Sequence, residues 1–287
     1  MIKKVVIPAA GFGTRMLPAA KSIPKEMLPV LDRPTIQYVV EEAADAGVTD
    51  VLLIVSRDKK AVEDHFDRHP ELETRLAAGN KTSLIESILR LQEKVRIHTT
   101  RQSEQRGLGH AVLHARQHVG NEPFLCCLGD TIFSGSPVSP ARELIEAYNK
   151  YRTSIIGLEE VPAEKVERYG IVGGDLIEPG VIRINQLVEK PRAQEAPSRL
   201  AIAARYVLTP GIFECLDRTT PGKGNEIQLT DAIKLQLQSV PIHGVILQSK
   251  RHDIGNPVDW LKTNLLYARH DPATWKQIEP LLRSLLS

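Results

Sequence analysis

The stretch "PAAGFGTRMLPAAKSIPKEMLPV", residues 8–30, follows the apolar run "KKVVI" and leads into "PTIQYVVEEAADAG", residues 34–47. A short, unbroken apolar run reads as a buried strand. Ile36, Val39, Val40, Ala43 and Ala44 recur at helical spacing between Pro34 and Gly47, which predicts a helix. "VLLIV" then supplies a second strand. This order puts Gly11 and Gly13 at the carboxyl end of the first strand, where doubly wound sheets bind ligands. Glycines permit positive φ and close backbone approach, so successive N–H groups can form a concavity for an anion, and Arg15 offers a planar, two-pronged phosphate donor. A dinucleotide fingerprint would need a third glycine where Met16 sits, and the Gly-Lys-Ser/Thr of a nucleotide P-loop is absent. The loop therefore reads as a polyphosphate holder of another kind. Prolines on both sides of Lys25 and Glu26, in "SIPKEMLP", restrict the backbone there.

Outward from this loop, helical stretches around residues 59–66 and 81–92 alternate with the strands "VRIHT" and "FLCCLGD" and the helix "GHAVLHARQHV". Such alternation implies a mainly parallel sheet covered by helices on both faces. After the helix "ARELIEAYNKY" the pattern changes to the strands "SIIGLEEV", "YGIVGG", "VIRINQLVEKP" and "LAIAARYVL", set apart by Gly and Pro turns. This half is expected to extend the sheet and close over a substrate. "NEIQLTDAIKLQL" predicts a helix, "IHGVILQ" a late strand, and "PVDWLKTNLLYARH" and "ATWKQIEPLLRSLL" two terminal helices. With neither repeat nor low-complexity linker, the 287 residues are read as one domain: a nucleotide-binding half at 1–135, a sugar-phosphate half at 136–255, and C-terminal helices at 256–287.

Composition narrows the class. Hydrophobic residues at 42% and charged residues at 25% suit a chain able to bury a sizeable core. The net charge of +2, without a dense basic block or interleaved aromatics, gives no support to a nucleic-acid surface. No stretch reaches the roughly 18 apolar residues of a membrane helix. The start "MIKKVVIPAAGFGTR" is too short an apolar run for a signal peptide and contains Pro8. Cys126, Cys127 and Cys215 have neither zinc nor disulfide spacing, so reduced thiols and a cytoplasmic setting are expected.

"AAGFGTRMLPAAKSIPKEMLPV", "PTIQYVVEEA", "RQSEQRGLGHAVLHA", "YGIV", "VEKP", "LAIAARYVL", "GNEIQLTDAI" and "HDIGN" together, in this order, resemble the sugar-1-phosphate nucleotidylyltransferases, most closely the bacterial branch that uridylylates glucose 1-phosphate. The resemblance spans nearly the whole chain. It implies a Rossmann-like α/β nucleotidyltransferase fold, with a mixed, mainly parallel sheet and a smaller sugar-binding β extension. It implies transfer of a uridylyl group from UTP to glucose 1-phosphate, giving UDP-glucose and pyrophosphate with Mg²⁺ as cofactor, and a homo-oligomer, dimer or tetramer. No covalent intermediate is needed, so the site must hold two mutually repelling anions in line and neutralise the departing pyrophosphate.

By resemblance, Asp130 and Asp253 bind the metal, whose preference for hard oxygen ligands they suit. Lys25 lies at the α-phosphoryl group and Arg15 grips the leaving pyrophosphate, while Ala10, Gly11, Gly13, Thr14, Glu26, Gln102 and Gly107 surround the nucleotide. Gln102 pairs with the base, an amide offering both the donor and the acceptor that an imide edge requires. Lys190 binds the sugar phosphate, Glu189 accepts from sugar hydroxyls, and Gly170 lets the backbone approach the sugar. Because neighbours on an ideal strand point to opposite faces, Glu189 and Lys190 can share a ligand only at an irregular strand end.

Ala20 stands where relatives often carry threonine, and Thr131 where residues vary. Two other readings compete: a relative using dTTP or another sugar phosphate, and a non-catalytic regulatory paralogue, which is expected to lose the glycine-arginine loop or the metal acid. Arg15, Lys25, Asp130 and Lys190 are all present, which favours an enzyme. His110, His114 and His118 recur every four residues and could present metal ligands on one helix face, but no cysteine or carboxylate partner is evident. His65 and His69 share that spacing, and Lys223 in "GKGN" reads as a solvated turn. Glu226 and Asp231 are expected at the start and middle of their helix, supporting the pocket, with Glu226 capping or orienting its neighbours.

Overall fold

Val5, Val6 and Ile7 are fully buried although they are consecutive, as a central strand covered on both faces requires. They belong to β1 (Lys4–Pro8) in a computed structural model that describes residues 2–286. The other strands are β2 (Pro29–Val30), β3 (Arg33–Pro34), β4 (Asp50–Val55), β5 (Arg96–Arg101) and β6 (Phe124–Cys127), then β7 (Thr131–Ser134), β8 (Ile155–Glu160) and β9 (Gly170–Glu178). The last four are β10 (Val181–Glu189), β11 (Leu200–Leu208), β12 (His243–Ile246) and β13 (Lys250–Asp253).

Among the described residues, nine strands form one sheet in the order β5-β4-β1-β6-β11-β8-β12-β10-β9. The expected parallel order holds across β5-β4-β1-β6 and again for β8 with β12. β11 runs antiparallel to both β6 and β8, and β9–β10 is an antiparallel hairpin at the far edge. Successive side chains of β1 and β4 feed two cores. Val5, Ile7, Val51, Leu53 and Val55 meet Ile36, Val39 and Val40 of the helix Thr35–Asp45 on one face. Val6, Leu52 and Ile54 share the other face with Val112, Phe213 and Leu229. That alternation is the period-two geometry of a strand, repeated in neighbours.

Three helices depart from the sequence expectation. Pro70–Ala78 forms without burying a residue, so it leaves no amphipathic signature. "GHAVLHARQHV" runs as two segments, Leu108–Leu113 and Arg116–Val119, because the amides of His114 and Ala115 turn to the i−3 carbonyls of Ala111 and Val112. The helix expected from Asn225 starts only at Leu229. Glu226 to Gln228 are extended instead, because Ile227 N–H donates to Arg106 O at 2.7 Å and Gly109 N–H donates to Ile227 O at 2.8 Å. Glu226 therefore caps no helix; its carboxylate accepts from Gln228 Nε2 at 3.0 Å.

A two-stranded ribbon of β7 and β13 sits beside the main sheet and pairs Asp253 with Thr131. Arg205, fully buried on β11, anchors the ribbon's base. Its guanidinium pairs with Glu42 at 2.7 Å, donates to Thr131 O at 2.9 Å and lies 4.8 Å from the Phe133 ring centroid. Cys126 and Cys127 are buried on β6, with burial pushing the Cys126 thiol up to about 12. No helix among the described residues is long and apolar enough to cross a membrane.

Candidate active site

The carboxyl ends of β1 and β6, the β7–β13 ribbon and the ends of β9 and β10 enclose a cleft of about 1360 Å³. Ala10, Gly11, Gly13, Thr14, Arg15 and Lys25 line one side. Glu26, Gln102, Gly107, Asp130 and Asp253 line the middle, and Gly170, Glu189 and Lys190 the far end. Every residue to which the family resemblance gives a nucleotide, sugar-phosphate or metal role thus borders the same space, whereas Asp231 does not line it. Of the two loop glycines, only Gly13 uses positive φ, at 66°. A Cβ there would lie 3.3 Å from the Cβ atoms of Ala20 and Lys25, whereas one at Gly11 would meet nothing within 4 Å. Gly11 does not use the positive φ that its residue type permits.

Charges alternate through the buried floor. Lys25 Nζ forms an ion pair with Asp130, and Lys59 Nζ bonds Glu26 at 2.8 Å. Burial disfavours the Lys25 ammonium, but Asp130 and then Glu26 outweigh it and raise its pKa. Burial likewise works against the Asp130 carboxylate, while Lys25 and then Arg15 reverse the effect and lower its pKa. Glu26 is raised, chiefly by burial. Asp253 is raised by burial and then by the negative charge of Asp130, although Gly255 N–H donates to its Oδ1 at 2.7 Å. Arg15 reaches the same corner: a Cβ on Gly255 would fall 2.8 Å from its Nη2 and 2.7 Å from Asp253 Oδ1.

At the far end β10 stops at Glu189, and Lys190 turns into the left-handed region with φ 46°, the irregular strand end that a shared ligand demands. Lys190 Nζ lies 3.1 Å from Glu189 Oε1, and Thr230 Oγ1 donates to Glu189 Oε2 at 2.7 Å. Gly170 faces the same carboxylate; a Cβ there would come within 2.9 Å of Ile202 and 3.2 Å of Glu189 Oε2. Lys223 is exposed, as expected of a turn, but its Nζ donates to Lys190 O at 2.7 Å and so ties the turn to the cleft.

A family model described as "Nucleotidyl transferase" matches residues 4–270. This chain belongs to the nucleotidyl transferase family. It is 44% identical over 284 residues to a UTP–glucose-1-phosphate uridylyltransferase of Staphylococcus epidermidis, covering 99% of this chain and 98% of that one. A crystal structure of UDP-glucose pyrophosphorylase complexed with UDP-glucose superposes with a TM-score of 0.88 at 41% identity, covering 94% of this chain and all of that one. A UTP-bound UGPase from Acinetobacter baumannii gives 0.91 at 38%, over 99% of this chain. The mixed sheet described above is the nucleotidyltransferase fold.

Asp130 and Asp253 border the cleft as two hard oxygen donors, and a divalent cation between them would relieve the repulsion that raises Asp253. Among the described residues, no cluster of three or more His, Cys, Asp or Glu could hold a metal. An ion there would complete its shell with phosphate oxygens and water. The spaced histidines do not converge: His118 Nε2 meets Asp50 Oδ1 at 2.8 Å, while the His110 and His114 rings stack edge to face at 4.7 Å. His65 bonds Gln37 and His69 caps a helix.

Residues that spacing did not single out also border the cleft. Gln105 Nε2 donates to Ala10 O at 2.9 Å, Thr230 holds Glu189, and Arg251 pairs with Glu159 beneath the Tyr169 ring. Lys59, in "RDKK", looks like a solvated charge run yet is only 5% exposed. Nothing local distinguishes it from Lys60, whose side chain is mostly exposed.

Proposed function

We propose that this chain transfers a uridylyl group from UTP to glucose 1-phosphate. A phosphate oxygen of the sugar phosphate bonds to the α-phosphorus as the bond to the β-phosphate oxygen breaks, giving UDP-glucose and pyrophosphate without a covalent enzyme intermediate. The observation that carries this reading is the convergence of Arg15, Lys25 and Lys190 with two carboxylates in one cleft large enough for both substrates, in a chain related along its length to uridylyltransferases.

Lys25, kept charged between Asp130 and Glu26, stabilises negative charge at the α-phosphoryl group. Arg15 holds the departing pyrophosphate, and Ala10, Gly11, Gly13 and Thr14 bring main-chain groups to the polyphosphate. Glu26, Gln102 and Gly107 hold the nucleoside. Lys190 grips the phosphate of the sugar phosphate, Glu189 accepts from sugar hydroxyls, and Gly170 leaves room for the ring. Asp130 and Asp253 would hold Mg²⁺, which would supply charge neutralisation across the phosphates.

We read the chain as one working domain, with residues 1–135 as its nucleotide half, 136–255 as its sugar-phosphate half and 256–287 as terminal helices. Its setting is proposed to be cytoplasmic and its form a homo-oligomer. The deciding experiment is pyrophosphate release with Mg²⁺ and glucose 1-phosphate, comparing UTP, dTTP, CTP, ATP and GTP, with products identified by mass. UDP-glucose formed only with metal, and fastest from UTP, is the expected result. Binding of UTP without product from any nucleotide would overturn it.

A further inference from the structure

Gln102 is 4% exposed, and its main-chain N–H donates to Val55 O at 2.9 Å, so the side chain leaves the end of β5 from a fixed point. Its Nε2 faces two acceptors, Gly107 O at 3.3 Å and His110 Nδ1 at 3.0 Å. Reversing the amide would set Oε1 against the Gly107 carbonyl oxygen, acceptor against acceptor, so Nε2 stays on that side and His110 Nδ1 accepts from it. Oε1 receives no hydrogen bond from the described residues, and with both Nε2 hydrogens directed at Gly107 and His110 the amide offers a base its acceptor alone, not the donor and acceptor expected from the sequence.

The frame around the amide is rigid. A Cβ at Gly107 would lie 2.7 Å from Ile227 O, and one at Gly109 2.8 Å from the same atom, so the loop is pressed onto the extended segment before Leu229. The His110 ring is braced edge to face by His114, whose Nδ1 bonds His110 O at 2.8 Å. Burial, then the neighbouring His114 and Arg106, lower the His110 pKa, with Glu104 opposing, so the neutral ring that can accept at Nδ1 is favoured.

We propose that His110 is a positioning residue for base selection: by accepting from Gln102 Nε2 it locks the amide with Oε1 toward the nucleotide, so the site takes a base with a ring N–H there and rejects one with a lone pair. Uracil carries that N–H at N3; cytosine carries a lone pair at the same atom. The inference rests on the reading of Gln102 as the base contact. His110 touches no substrate and acts through Gln102 alone.

The test compares kcat/KM for UTP and for CTP, each with glucose 1-phosphate and Mg²⁺, in the wild type and in His110→Phe, His110→Ala, His110→Asn and Gln102→Ala. His110→Phe keeps a ring against His114 but removes the acceptor, so it decides the matter should His110→Ala fail to fold. Loss of the acceptor is expected to lower the UTP-to-CTP preference about tenfold, the size of one buried hydrogen bond. His110→Asn, whose Oδ1 can occupy the place of Nδ1, is expected to restore most of it. A wild-type preference in His110→Phe, with Gln102→Ala blurred, would overturn the role of His110 while leaving Gln102 as the base reader. An unchanged preference in Gln102→Ala would instead overturn the base contact, and this inference with it.

Discussion

Asp130 carries more of the site than any other side chain. Its carboxylate holds Lys25 in an ion pair and, after burial, raises the pKa of Asp253 by repulsion, and in the proposed function it would share a divalent cation with Asp253. Asp130→Asn keeps the shape and removes the charge, so turnover is expected to fall about a hundredfold or more, the scale of losing a preorganised electrostatic partner. The protein should stay folded, with a lower thermal midpoint because Lys25 loses its partner, and wild-type turnover at saturating Mg²⁺ would rule the role out. Lys190 sits at the other end of the cleft, with its backbone held in the left-handed region by the Lys190 N–H to Tyr169 O bond at 3.0 Å. Lys190→Ala is expected to raise KM for glucose 1-phosphate at least about tenfold while barely moving KM for UTP, since it removes a phosphate contact from one substrate only. Initial rates with each substrate varied in turn separate the two.

Between elements, Arg205 is the joint. It ties β11 to the helix Thr35–Asp45 through Glu42 and to the start of β7 through Thr131 O, and so sets where Asp130 stands. Arg205→Met would leave the Glu42 carboxylate unpaired in the interior, and loss of one partner of a buried pair costs about 3–5 kcal/mol. Urea unfolding should show that loss. If the variant stays folded, activity should fall as well, because the ribbon base is freed. From the sequence, "LAIAARYVL" announces a strand but not that its arginine is buried, since an interior charge is legible only with its partner in view. The same holds for "NEIQLTDAIKLQL", where helical periodicity runs on into Glu226–Gln228 while the chain spends those residues on hydrogen bonds to the loop after β5.

At the scale of the molecule, the sheet divides two cores and the cleft opens at the carboxyl ends of its central strands, so stability and site geometry share the same layers. Buried histidines make that stability pH-dependent. Burial lowers His252 from 6.5 to about 4, and lowers His65 and His243 as well. For a base lowered on folding, the unfolded chain takes up protons first as pH drops below 6.5. The native state therefore loses stability between about pH 6.5 and 4, and gains nothing from these groups above pH 7. Glu143 and Glu159, raised by burial, act in the opposite sense at the acid end. The clean readout is the difference between wild type and His252→Gln, for which the acid loss should be smaller by about 2 kcal/mol. Parallel pH profiles for the two proteins would contradict the assignment.

Short-range order was legible because it is written in short-range pattern. Unbroken apolar runs marked β1, β4 and β6, helical spacing marked the helix after Pro34, and glycine with arginine after β1 marked an anion loop. The ordered motifs pointed to Arg15, Lys25, Asp130, Lys190 and Asp253, which all border one cleft, while Asp231 of the same motif set does not line it. Tertiary structure alone decided the sheet order, the pairing of β13 with β7 that brings Asp253 to Asp130, the burial of Lys59 and Arg205, and the orientation of the Gln102 amide. Each depends on partners distant in the chain, whose meeting is set by the packing of the whole core and leaves no periodic trace in the residues between them.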